Sequence, residues 1–578
     1  MTTIENLAGI PSAKELTLLA NELFPDLVGD TAASTTAAST TAVPSAPTTL
    51  DTPDAVTNAA GGSEVVSSIP QGDNVNYASS EFDWEHPFAY GGASSEPWLN
   101  SVQVAENPYS EFLPDEKDLP NENPASVSYS PVVLSKTQAQ ENERKIDAPT
   151  SLGGDRVTNQ SNIELPYSSR DESIRIGSKT LAQIRSDFPI LSEKINGNPL
   201  VWLDNGATTQ RPKAVIDRLS YYYEHENSNV HRGAHTLAAR STDAYENARN
   251  IVRDFIGASS SEEIVFVRGT TEAINLVANA YVKPTLEPGD EIIVSILEHH
   301  ANIVPWQLIA QETGAVIKVI PCDETGQLIL HEYEKLFTKR TKFVAVTHVS
   351  NVLGTVTPVE ELVAIAHRHG VRILVDGAQS IAHIPVNVTA LDTDFFVFSG
   401  HKIFAPTGIG VVYGKKELLE SARPYHGGGN MIADVTFERT IYNAIPNKFE
   451  AGTGSIADAV GLGAALTYLS EIGMPCVFRW EHELLQYALK EMKSVKGITL
   501  VGTALNKASA LAFKLDGYSD EEVGKRLDAY GIAVRTGHHC AQPVLRHFGY
   551  ESVVRPTLAI YNSPDDIDAL VKALKTFA

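Results

Sequence analysis

The chain contains 578 residues with a formal net charge of −25, and 43% of its residues are hydrophobic. This length leaves room for two to four domains and a large core. The acidic balance argues against nucleic acid as the main partner, because contacts with phosphate groups require clustered Lys and Arg.

The cysteine content and the N-terminal residues indicate in which cellular compartment the protein works. Cys322, Cys476 and Cys540 are widely spaced and form no CxxC pair, so the sequence shows neither a disulfide framework nor a zinc-knuckle pattern. The first residues lack the basic start and apolar core of a signal peptide, and no stretch reaches the roughly 18 apolar residues of a membrane span. We therefore expect a cytoplasmic protein without a membrane partner.

Residues 1–165 are predicted to be a disordered acidic extension. They contain 24 acidic and 6 basic residues, so 18 of the 25 excess negative charges lie there. A low-complexity repeat at 31–42 and frequent Pro, Ser, Asn and Gly leave too little apolar surface to offset the ordering entropy. Two islands are predicted to be interaction motifs, one at about 12–27 with helical apolar spacing and one at about 82–113 with clustered aromatic residues. Their expected target is a separate protein, and docking onto the chain's own body is the alternative.

From about residue 166 the sequence alternates between predicted strands and helices. Seven apolar strands are predicted, at Glu263–Val267, Glu291–Ser295, Ala315–Ile320, Thr341–Val346, Arg372–Val375, Phe395–Phe398 and Gly410–Tyr413. Such a series indicates an α/β fold with an open sheet and helices on both faces. Ligands of these sheets bind at the carboxyl ends of the strands, so the polar motifs that follow the strands form the candidate site.

Three of these motifs suit a flat, phosphorylated, cationic ring. Thr270 and Thr271 open a predicted helix, Ala273–Tyr281, and hydroxyls at a helix N-terminus suit a phosphate, although an ordinary N-cap has the same residues. His299 follows a strand and is placed to stack on a ring, unless it is a hydrogen-bonded structural side chain. Asp376 ends a buried strand, where a carboxylate is costly unless a cation such as a protonated pyridine nitrogen meets it.

The stretch Asp394–Lys402 is the centre of the predicted site. An apolar strand runs into a turn that presents Ser399, His401 and Lys402 together. A lysine at a buried strand end loses its proton through desolvation, and the neutral amine forms a Schiff base with an aldehyde cofactor. An isolated lysine after a strand is usually a surface residue, so this prediction depends on the surrounding motifs. Together with a phosphate cup that includes Ser399 and His401, the motifs predict pyridoxal 5'-phosphate as the cofactor.

With these motifs, the chain from about residue 180 to 578 resembles the class V aminotransferase-like enzymes of fold-type I. The segments Glu298–Asn302 (EHHAN) and 535–541 (RTGHHCA) are similar to those of the type II cysteine desulfurases, which are closely related to selenocysteine lyases. The resemblance implies a homodimer. It also implies a cofactor-binding large domain at 166–465 with a mainly parallel seven-stranded sheet, and a smaller C-terminal α+β domain at 466–578 with the cysteine loop.

The resemblance implies a role for each motif residue. The catalytic residues it implies are the nucleophile Cys540, the Schiff-base lysine and proton shuttle Lys402, and the ring-stacking His299. Asp376 is implied to meet the pyridine nitrogen and Gln379 to lie near the phenolic oxygen. The implied phosphate ligands are Thr270, Thr271, Ser399, His401 and Thr453 of the partner subunit. The implied substrate contacts are Arg555 for the carboxylate, Asn351 beside it, and Arg535 near the sulfur-bearing end.

The implied reaction converts L-cysteine to L-alanine and leaves the sulfur on Cys540 as a persulfide for an acceptor protein or a small thiol. Positive charge from His538, His539 and Arg535 is expected to lower the pKa of the thiol. No metal site is expected at these residues, because adjacent side chains rarely reach one tetrahedral ion. The alternatives are a selenocysteine lyase or cysteine sulfinate desulfinase, a plain aminotransferase, and a degenerate scaffold with an interacting tail.

Three segments depart from the family's pattern. Gly454 and Ser455 follow Thr453 where the family commonly has Pro-Asn, and Pro556-Thr557 replaces the usual Ala-Ser. The extension at 1–165 is similar to the cargo-loading segment of cysteine desulfurases packaged in encapsulin shells of the second family. This similarity implies an encapsulin shell partner and an enzyme that works inside the nanocompartment in sulfur storage or mobilisation.

Overall fold

The computed structural model describes residues 169–577 except 232 and 233. The extension predicted at 1–165, with both of its islands, lies outside the described residues.

A seven-stranded sheet forms the centre of the fold. Its strands in chain order are β1 (Ile264–Val267), β2 (Glu291–Ser295), β3 (Val316–Ile320), β4 (Thr341–Thr347), β5 (Arg372–Asp376), β6 (Phe395–Ser399) and β7 (Gly410–Gly414). The spatial order is β1-β7-β6-β5-β4-β2-β3. Strand β7 is antiparallel to both of its neighbours, and the other pairs are parallel. The prediction of seven strands in a mainly parallel sheet is therefore confirmed, with every strand end within one residue of its predicted position.

Alternate side chains of each strand enter two different cores. On β5, Ile373 and Val375 belong to one hydrophobic cluster and Leu374 belongs to the other. Helices Thr236–Ile256 and Ile456–Ile472 supply the first cluster, while helices Thr270–Leu276 and Val304–Thr313 supply the second. This period of two is expected for a sheet that is covered on both faces.

The α-helices of the described residues are, in chain order, Ser169–Ser173, Leu181–Ser186, Lys213–His225, Thr236–Ile256, Thr270–Leu276, Val304–Thr313, Leu330–Lys335, Val359–Arg368, Lys416–Ser421, Ile456–Ile472, Met474–Met492, Asp520–Ala529, Gln542–His547 and Pro564–Lys575. The helix predicted at Ala273–Tyr281 begins three residues earlier, at Thr270, and continues as a wider π-helical segment, Val277–Val282. Its predicted start was wrong because Gly269 and not the paired threonines lies at the N-cap.

A second sheet lies in the C-terminal part of the chain. Its strands are β8 (Ile498–Leu500), β9 (Phe513–Leu515), β10 (Arg535–Gly537) and β11 (Val553–Arg555), and their spatial order is β8-β9-β11-β10 with antiparallel pairing throughout. This sheet packs with helices Met474–Met492, Asp520–Ala529 and Pro564–Lys575 in one hydrophobic cluster.

A segment from the N-terminal side of the large sheet joins this C-terminal layer. The short strand Val201–Trp202 pairs in parallel with Ile532–Ala533, and Val201 and Leu203 are buried in the C-terminal cluster. This pairing carries Asp204 towards the ends of β10 and β11. Short antiparallel ribbons elsewhere join Arg175–Ile176 to Lys179–Thr180, Lys194–Ile195 to Asn198–Pro199, and Ile432–Val435 to Thr440–Tyr442.

None of the described helices is long and apolar enough on its own to cross a membrane. Helices Ile456–Ile472 and Met474–Met492 meet the length and composition criteria only as a pair, and they are bent by 76°.

Candidate active site

Three of the predicted site residues meet at the carboxyl edge of the large sheet. Asp376 is the last residue of β5, His299 follows the end of β2, and Lys402 follows the end of β6. In the register of the sheet, Asp376 lies between Thr347 of β4 and Val397 of β6. The topology therefore assembles residues from a stretch of about a hundred positions, from His299 to Lys402.

Lys402 has the electrostatic environment of a nucleophilic amine. Desolvation lowers the pKa of its ammonium group to about 8, and Arg555 and Arg535 act in the same direction against Asp376. The neutral amine is therefore a minority form near physiological pH, but far more abundant than for a lysine of ordinary pKa. A neutral amine is the form that reacts with an aldehyde cofactor.

Asp376 is a buried carboxylate suited to a cationic partner. Its side chain is 3% exposed and accepts a hydrogen bond of 2.9 Å from the backbone N–H of Ala378. Burial raises the pKa of the carboxyl group, whereas Lys402 lowers it. A protonated ring nitrogen at this position offsets the cost of burying the charge.

His299 is held as a neutral ring. Its Nδ1 accepts a hydrogen bond of 3.0 Å from the backbone N–H of Ala301, so the proton of the neutral imidazole resides on Nε2. Burial, followed by the positive charge of Lys402, lowers the pKa of this imidazole to about 3. An uncharged imidazole can stack on the face of a flat heterocycle.

The predicted phosphate cup forms between β6 and the helix that begins at Thr270. Both the backbone N–H and the hydroxyl of Thr270 lie within hydrogen-bond distance of Ser399 Oγ, at 2.8 and 2.7 Å. Thr271, the next residue of this helix turn, is exposed. A Cβ atom on Gly269 would lie 3.3 Å from Ser399 Oγ, so the glycine keeps this cradle of hydroxyl and N–H groups open. The cradle fits a phosphate group at a helix N-terminus.

The remaining predicted cofactor residues differ in their surroundings. Burial, followed by the charge of Lys402, lowers the pKa of His401 to about 4, which leaves its ring neutral. The side-chain amide of Gln379 donates a hydrogen bond of 2.8 Å to the carbonyl oxygen of Gly206 and is buried. Thr453 is exposed, and its predicted phosphate contact with a partner subunit stays a prediction.

Arg555 and Asn351 form a buried site with unused hydrogen-bonding capacity. Arg555 is 2% exposed, and its Nη1 donates a hydrogen bond of 2.7 Å to the carbonyl oxygen of Asn351. Arg555 Nε and Asn351 Oδ1 are both buried without a hydrogen-bond partner among the described residues. Buried polar atoms are rarely left unpaired, so a donor and an acceptor in this position are suited to the carboxylate and amino groups of an amino acid.

The loop of Cys540 is fastened to this site. The Cys540 carbonyl oxygen accepts a hydrogen bond of 2.8 Å from the backbone N–H of His300, and the side chain of Asn351 donates one of 2.6 Å to the carbonyl oxygen of His539. His539 and Cys540 both have positive φ angles, 50° and 54°, a backbone conformation that non-glycine residues adopt only under local constraint. Cys540 itself is partly exposed.

The expected charge around Cys540 needs one correction. His539 is buried, and burial lowers the pKa of its ring to about 3, with the nearby Arg555 acting in the same direction. His539 is therefore neutral and supplies no positive charge to the thiol, contrary to the prediction. The ring of His538 stacks on that of His300 with a centroid separation of 5.8 Å.

Two carboxyl groups of the site were not singled out from the sequence. Glu298 is fully buried and accepts hydrogen bonds from the side chains of Ser295 and Asn302 and from the backbone N–H of Thr347. Its burial, with the nearby Asp376 acting in the same direction, raises the pKa of its carboxyl group to about 8. The sequence signal that could have identified Glu298 is an acidic residue placed directly after the apolar strand β2 and the apolar pair Ile296-Leu297.

The second of these groups is Asp204. Its Oδ2 lies 3.2 Å from Arg535 Nε, and its Oδ1 lies 3.5 Å from Arg555 Nη2. Burial raises the pKa of Asp204, while Arg535 and Arg555 lower it. Within residues 169–231 and 234–577, no group of three or more His, Cys, Asp or Glu side chains is arranged to hold a metal ion.

The model of the aminotransferase class V family matches residues 201–570. The chain belongs to the class V aminotransferase family. The predicted fold class, a fold-type I pyridoxal-phosphate enzyme, is thereby confirmed, and the cofactor of this family, pyridoxal 5'-phosphate, fits the residues described above.

Three relatives of this chain are named cysteine desulfurases. A cysteine desulfurase of Synechococcus elongatus is 59% identical over 393 residues, which are 68% of this chain and 63% of that relative. A cysteine desulfurase of Escherichia coli is 48% identical over 394 residues, 68% of this chain and 97% of the relative. The solved structure of another E. coli cysteine desulfurase, in its S-sulfonic acid form, has 39% identity and a TM-score of 0.64, and the match covers 68% of this chain and 98% of that one. The chain thus spans less than two thirds of the Synechococcus relative and nearly all of the shorter ones.

Proposed function

We propose that this chain is a cysteine desulfurase that converts L-cysteine to L-alanine and receives the sulfur on Cys540 as a persulfide. The observation that carries the proposal is that the Cys540 loop is hydrogen-bonded both to the segment that carries His299 and to the segment that carries Asn351. One hydrogen bond joins this loop to His300, beside the ring-stacking His299, and another joins it to Asn351, beside Arg555. The names of the relatives support the same activity.

Different residues of the chain bind the cofactor, bind the substrate and transfer the proton. When bound, pyridoxal 5'-phosphate acts as an electron sink that makes the α-proton of the substrate acidic. Arg555 holds the substrate carboxylate through its unused N–H, and the neutral amine of Lys402 takes the α-proton. Asp376 would meet the protonated ring nitrogen, and His299 would cover the ring face.

Sulfur transfer then takes place at Cys540. The thiolate of Cys540 attacks the substrate sulfur, so a sulfur–sulfur bond forms as the carbon–sulfur bond breaks. The electron pair of the broken bond remains with the substrate carbon, which is protonated to give alanine. The persulfide on Cys540 is then available to an acceptor protein or a small thiol, and the partial exposure of this residue gives such an acceptor access.

The test measures alanine release from L-cysteine by the cofactor-loaded protein and by Cys540→Ala. We expect alanine release to collapse in this variant. Cys476→Ala is the matched control, because Cys476 is also a free, partly exposed cysteine and lies outside the site. Full alanine release by Cys540→Ala would contradict the proposal and favour a plain aminotransferase-like enzyme.

A selenocysteine lyase or cysteine sulfinate desulfinase is the second candidate, since the same pocket accepts amino acids that differ only in the leaving group. Comparison of kcat/KM for L-cysteine, L-selenocysteine and L-cysteine sulfinate decides between them. We propose that L-cysteine is the preferred substrate, and a higher value for either of the others would reverse the assignment.

We also propose a homodimer in which Thr453 of the partner subunit completes the phosphate site. Asn430 donates a hydrogen bond of 3.0 Å to the carbonyl oxygen of Glu450, so the segment that carries Thr453 is tied to the base of the hairpin at 432–442. At the tip of this hairpin, Phe437 is fully exposed. An apolar tip of this kind supports an interface.

Mixing two inactive variants tests the shared site. Thr453→Ala lacks the proposed donor, and Lys402→Ala lacks the reactive lysine. If the subunits share sites, a mixed dimer contains one complete site, and the mixture is more active than either variant alone. Activity of the mixture no higher than the average of the two variants would contradict the proposal.

For residues 1–165 we propose a role in loading the enzyme into an encapsulin shell in the cytoplasm. Inside the shell, the enzyme would release sulfur from L-cysteine for storage or mobilisation. The acidic, motif-bearing composition supports it. Deletion of 1–165 and co-expression with the shell protein test the role. We expect the deletion to abolish loading and to leave cysteine turnover intact, and loading that survives would contradict the proposal.

A further inference from the structure

Gly206 lies against the arginine that is proposed to hold the substrate carboxylate. A Cβ atom added to Gly206 would lie 3.1 Å from Arg555 Nη2 and 3.0 Å from the γ-methyl group of Thr557. Both distances are shorter than an ordinary van der Waals contact of 3.4–4 Å. Gly206 does not have a positive φ angle, so its backbone would accept a side chain. The space beside Arg555 and Thr557 is therefore what requires a glycine here.

Thr557 is fixed on the other side of this contact. Its hydroxyl accepts a hydrogen bond of 2.7 Å from the backbone N–H of Gly206 and donates one of 3.1 Å to the carbonyl oxygen of Leu203. Its backbone forms bridges with Asp204 and Ala510, and the residue is 1% exposed. The two bonds of the hydroxyl select one rotamer, so the γ-methyl group is held against Gly206 and cannot rotate away.

Arg555 has two donors that suit a carboxylate. Its Nη1 is used by the carbonyl oxygen of Asn351, at 2.7 Å, whereas its Nε is buried without a hydrogen-bond partner among the described residues. The N–H of Nε and one N–H of Nη2 point in the same direction in the planar guanidinium and can bind both oxygens of one carboxylate. Nη2 also lies 3.5 Å from Asp204 Oδ1. Gly206 is thus placed beside one of the two donors.

The segment of Gly206 is also held from the cofactor side. The buried side-chain amide of Gln379 donates a hydrogen bond of 2.8 Å to the carbonyl oxygen of Gly206. With its N–H bound to Thr557 and its carbonyl bound to Gln379, Gly206 has little freedom to move. A methyl group at this position would therefore displace the end of the Arg555 side chain, because the Thr557 methyl group is fixed.

We propose that Gly206 and Thr557 act together as positioning residues for Arg555. The missing side chain at 206 makes room for the γ-methyl group and keeps Nη2 beside Nε for the substrate carboxylate. The inference rests on the proposed cysteine desulfurase function and deepens it. It also explains how the chain accommodates Thr557 at a position where the family usually has Ser.

The test measures KM and kcat for L-cysteine, as alanine release, in the cofactor-loaded wild type and in Gly206→Ala. We expect KM to rise about tenfold, the effect of losing one of two charge-assisted hydrogen bonds to the carboxylate. The value of kcat should change much less, because the carboxylate is not a reacting group. Inhibition by L-alanine, which has the same carboxylate, should weaken by a similar factor.

A rescue experiment assigns the effect to the contact with Thr557. In Gly206→Ala combined with Thr557→Ser, the new methyl group can occupy the space of the lost γ-methyl group, and KM should return to within about twofold of the wild type. Gly463→Ala is the matched control, because its Cβ would lie 3.2 Å from Ala248 in a helix contact outside the site. This control should leave KM unchanged.

A second variant keeps the test decisive if Gly206→Ala does not fold or bind cofactor, which cofactor absorbance reports. Thr557→Val keeps the volume but removes the hydroxyl that joins Gly206 to Leu203, so it should also raise KM. A KM within about twofold of the wild type in the loaded Gly206→Ala variant, or in Thr557→Val if the first does not load, would overturn the inference. An increase in Gly206→Ala that Thr557→Ser does not reduce would also overturn it. Failure of the proposed function would differ, because the wild type would then release no alanine from L-cysteine.

Discussion

The backbone N–H of His300 donates a hydrogen bond of 2.8 Å to the carbonyl oxygen of Cys540. This bond joins the loop after β2, which carries His299 with its proposed ring-stacking role, to the C-terminal loop that carries the proposed nucleophile. The two loops are 240 positions apart in the chain, yet their backbones are in direct contact. The nucleophile is therefore held in place relative to the cofactor side of the site by the main chain, while its thiol remains free to react.

The depressed pKa of Lys402 predicts how the apoenzyme captures its cofactor. The ammonium form does not react with the aldehyde, so the rate of capture should rise with pH up to about 8 and level off above it. A lysine of ordinary pKa, about 10.4, would give a rate that still increases towards about pH 10. Stopped-flow absorbance after mixing with pyridoxal 5'-phosphate measures this profile. Lys402→Ala is the control and should show no capture, and a plateau only above about pH 10 would contradict the assigned desolvation.

Glu298→Ala should destabilise the loop that carries His299. The substitution leaves the donors of Ser295, Asn302 and Thr347 without their buried acceptor. We expect the free energy of unfolding to fall by about 3 kcal/mol, together with weaker cofactor binding. Denaturant unfolding and cofactor titration measure the two effects. Glu332→Ala, which removes a half-exposed carboxylate that pairs with Lys335 away from the site, should change neither appreciably, and unchanged cofactor affinity in Glu298→Ala would exclude a positioning role for Glu298.

The buried ion pair of Arg249 and Glu450 predicts a non-additive effect. Arg249 Nη1 lies 2.7 Å from Glu450 Oε1, and the same oxygen accepts a hydrogen bond of 2.8 Å from the N–H of Phe266. Glu450→Gln leaves the buried guanidinium with the part-exposed Glu246 as its remaining carboxylate partner and should cost about 3 kcal/mol of unfolding free energy. The double variant Arg249→Met with Glu450→Gln should cost less than the sum of the two single variants, because neither charge then remains. Additive costs in denaturant unfolding would show that the pair is not coupled.

The sheet was predictable because its strands are apolar on both faces. Runs such as Phe395–Phe398 cannot be amphipathic surface strands, and the polar residues that follow them lie at one edge in a parallel sheet. Lys402, Asp376 and His299 were found by this rule together with the family resemblance. The helix start at Thr270 was missed because the glycine before it has no side chain to act as a cap signal.

Interactions between distant segments were not predictable from local patterns. Asp204 and Arg535 are 331 positions apart, so only the pairing of Val201–Trp202 with Ile532–Ala533 reveals their contact. The neutral state of His539 is likewise a consequence of burial, which neighbouring residues in the sequence do not report. The predicted role of residues 1–165 depends on a partner and stays a prediction.

Mass spectrometry of the enzyme after brief exposure to L-cysteine tests the central claim most directly. The account predicts that the peptide containing Cys540 gains the mass of one sulfur atom, that a reducing thiol removes it, and that the added sulfur does not exceed the alanine released. The peptides of Cys322 and Cys476 should remain unmodified, since Cys322 is buried and Cys476 lies outside the site. Alanine release with no added sulfur on Cys540, in the absence of any acceptor thiol, would contradict the account.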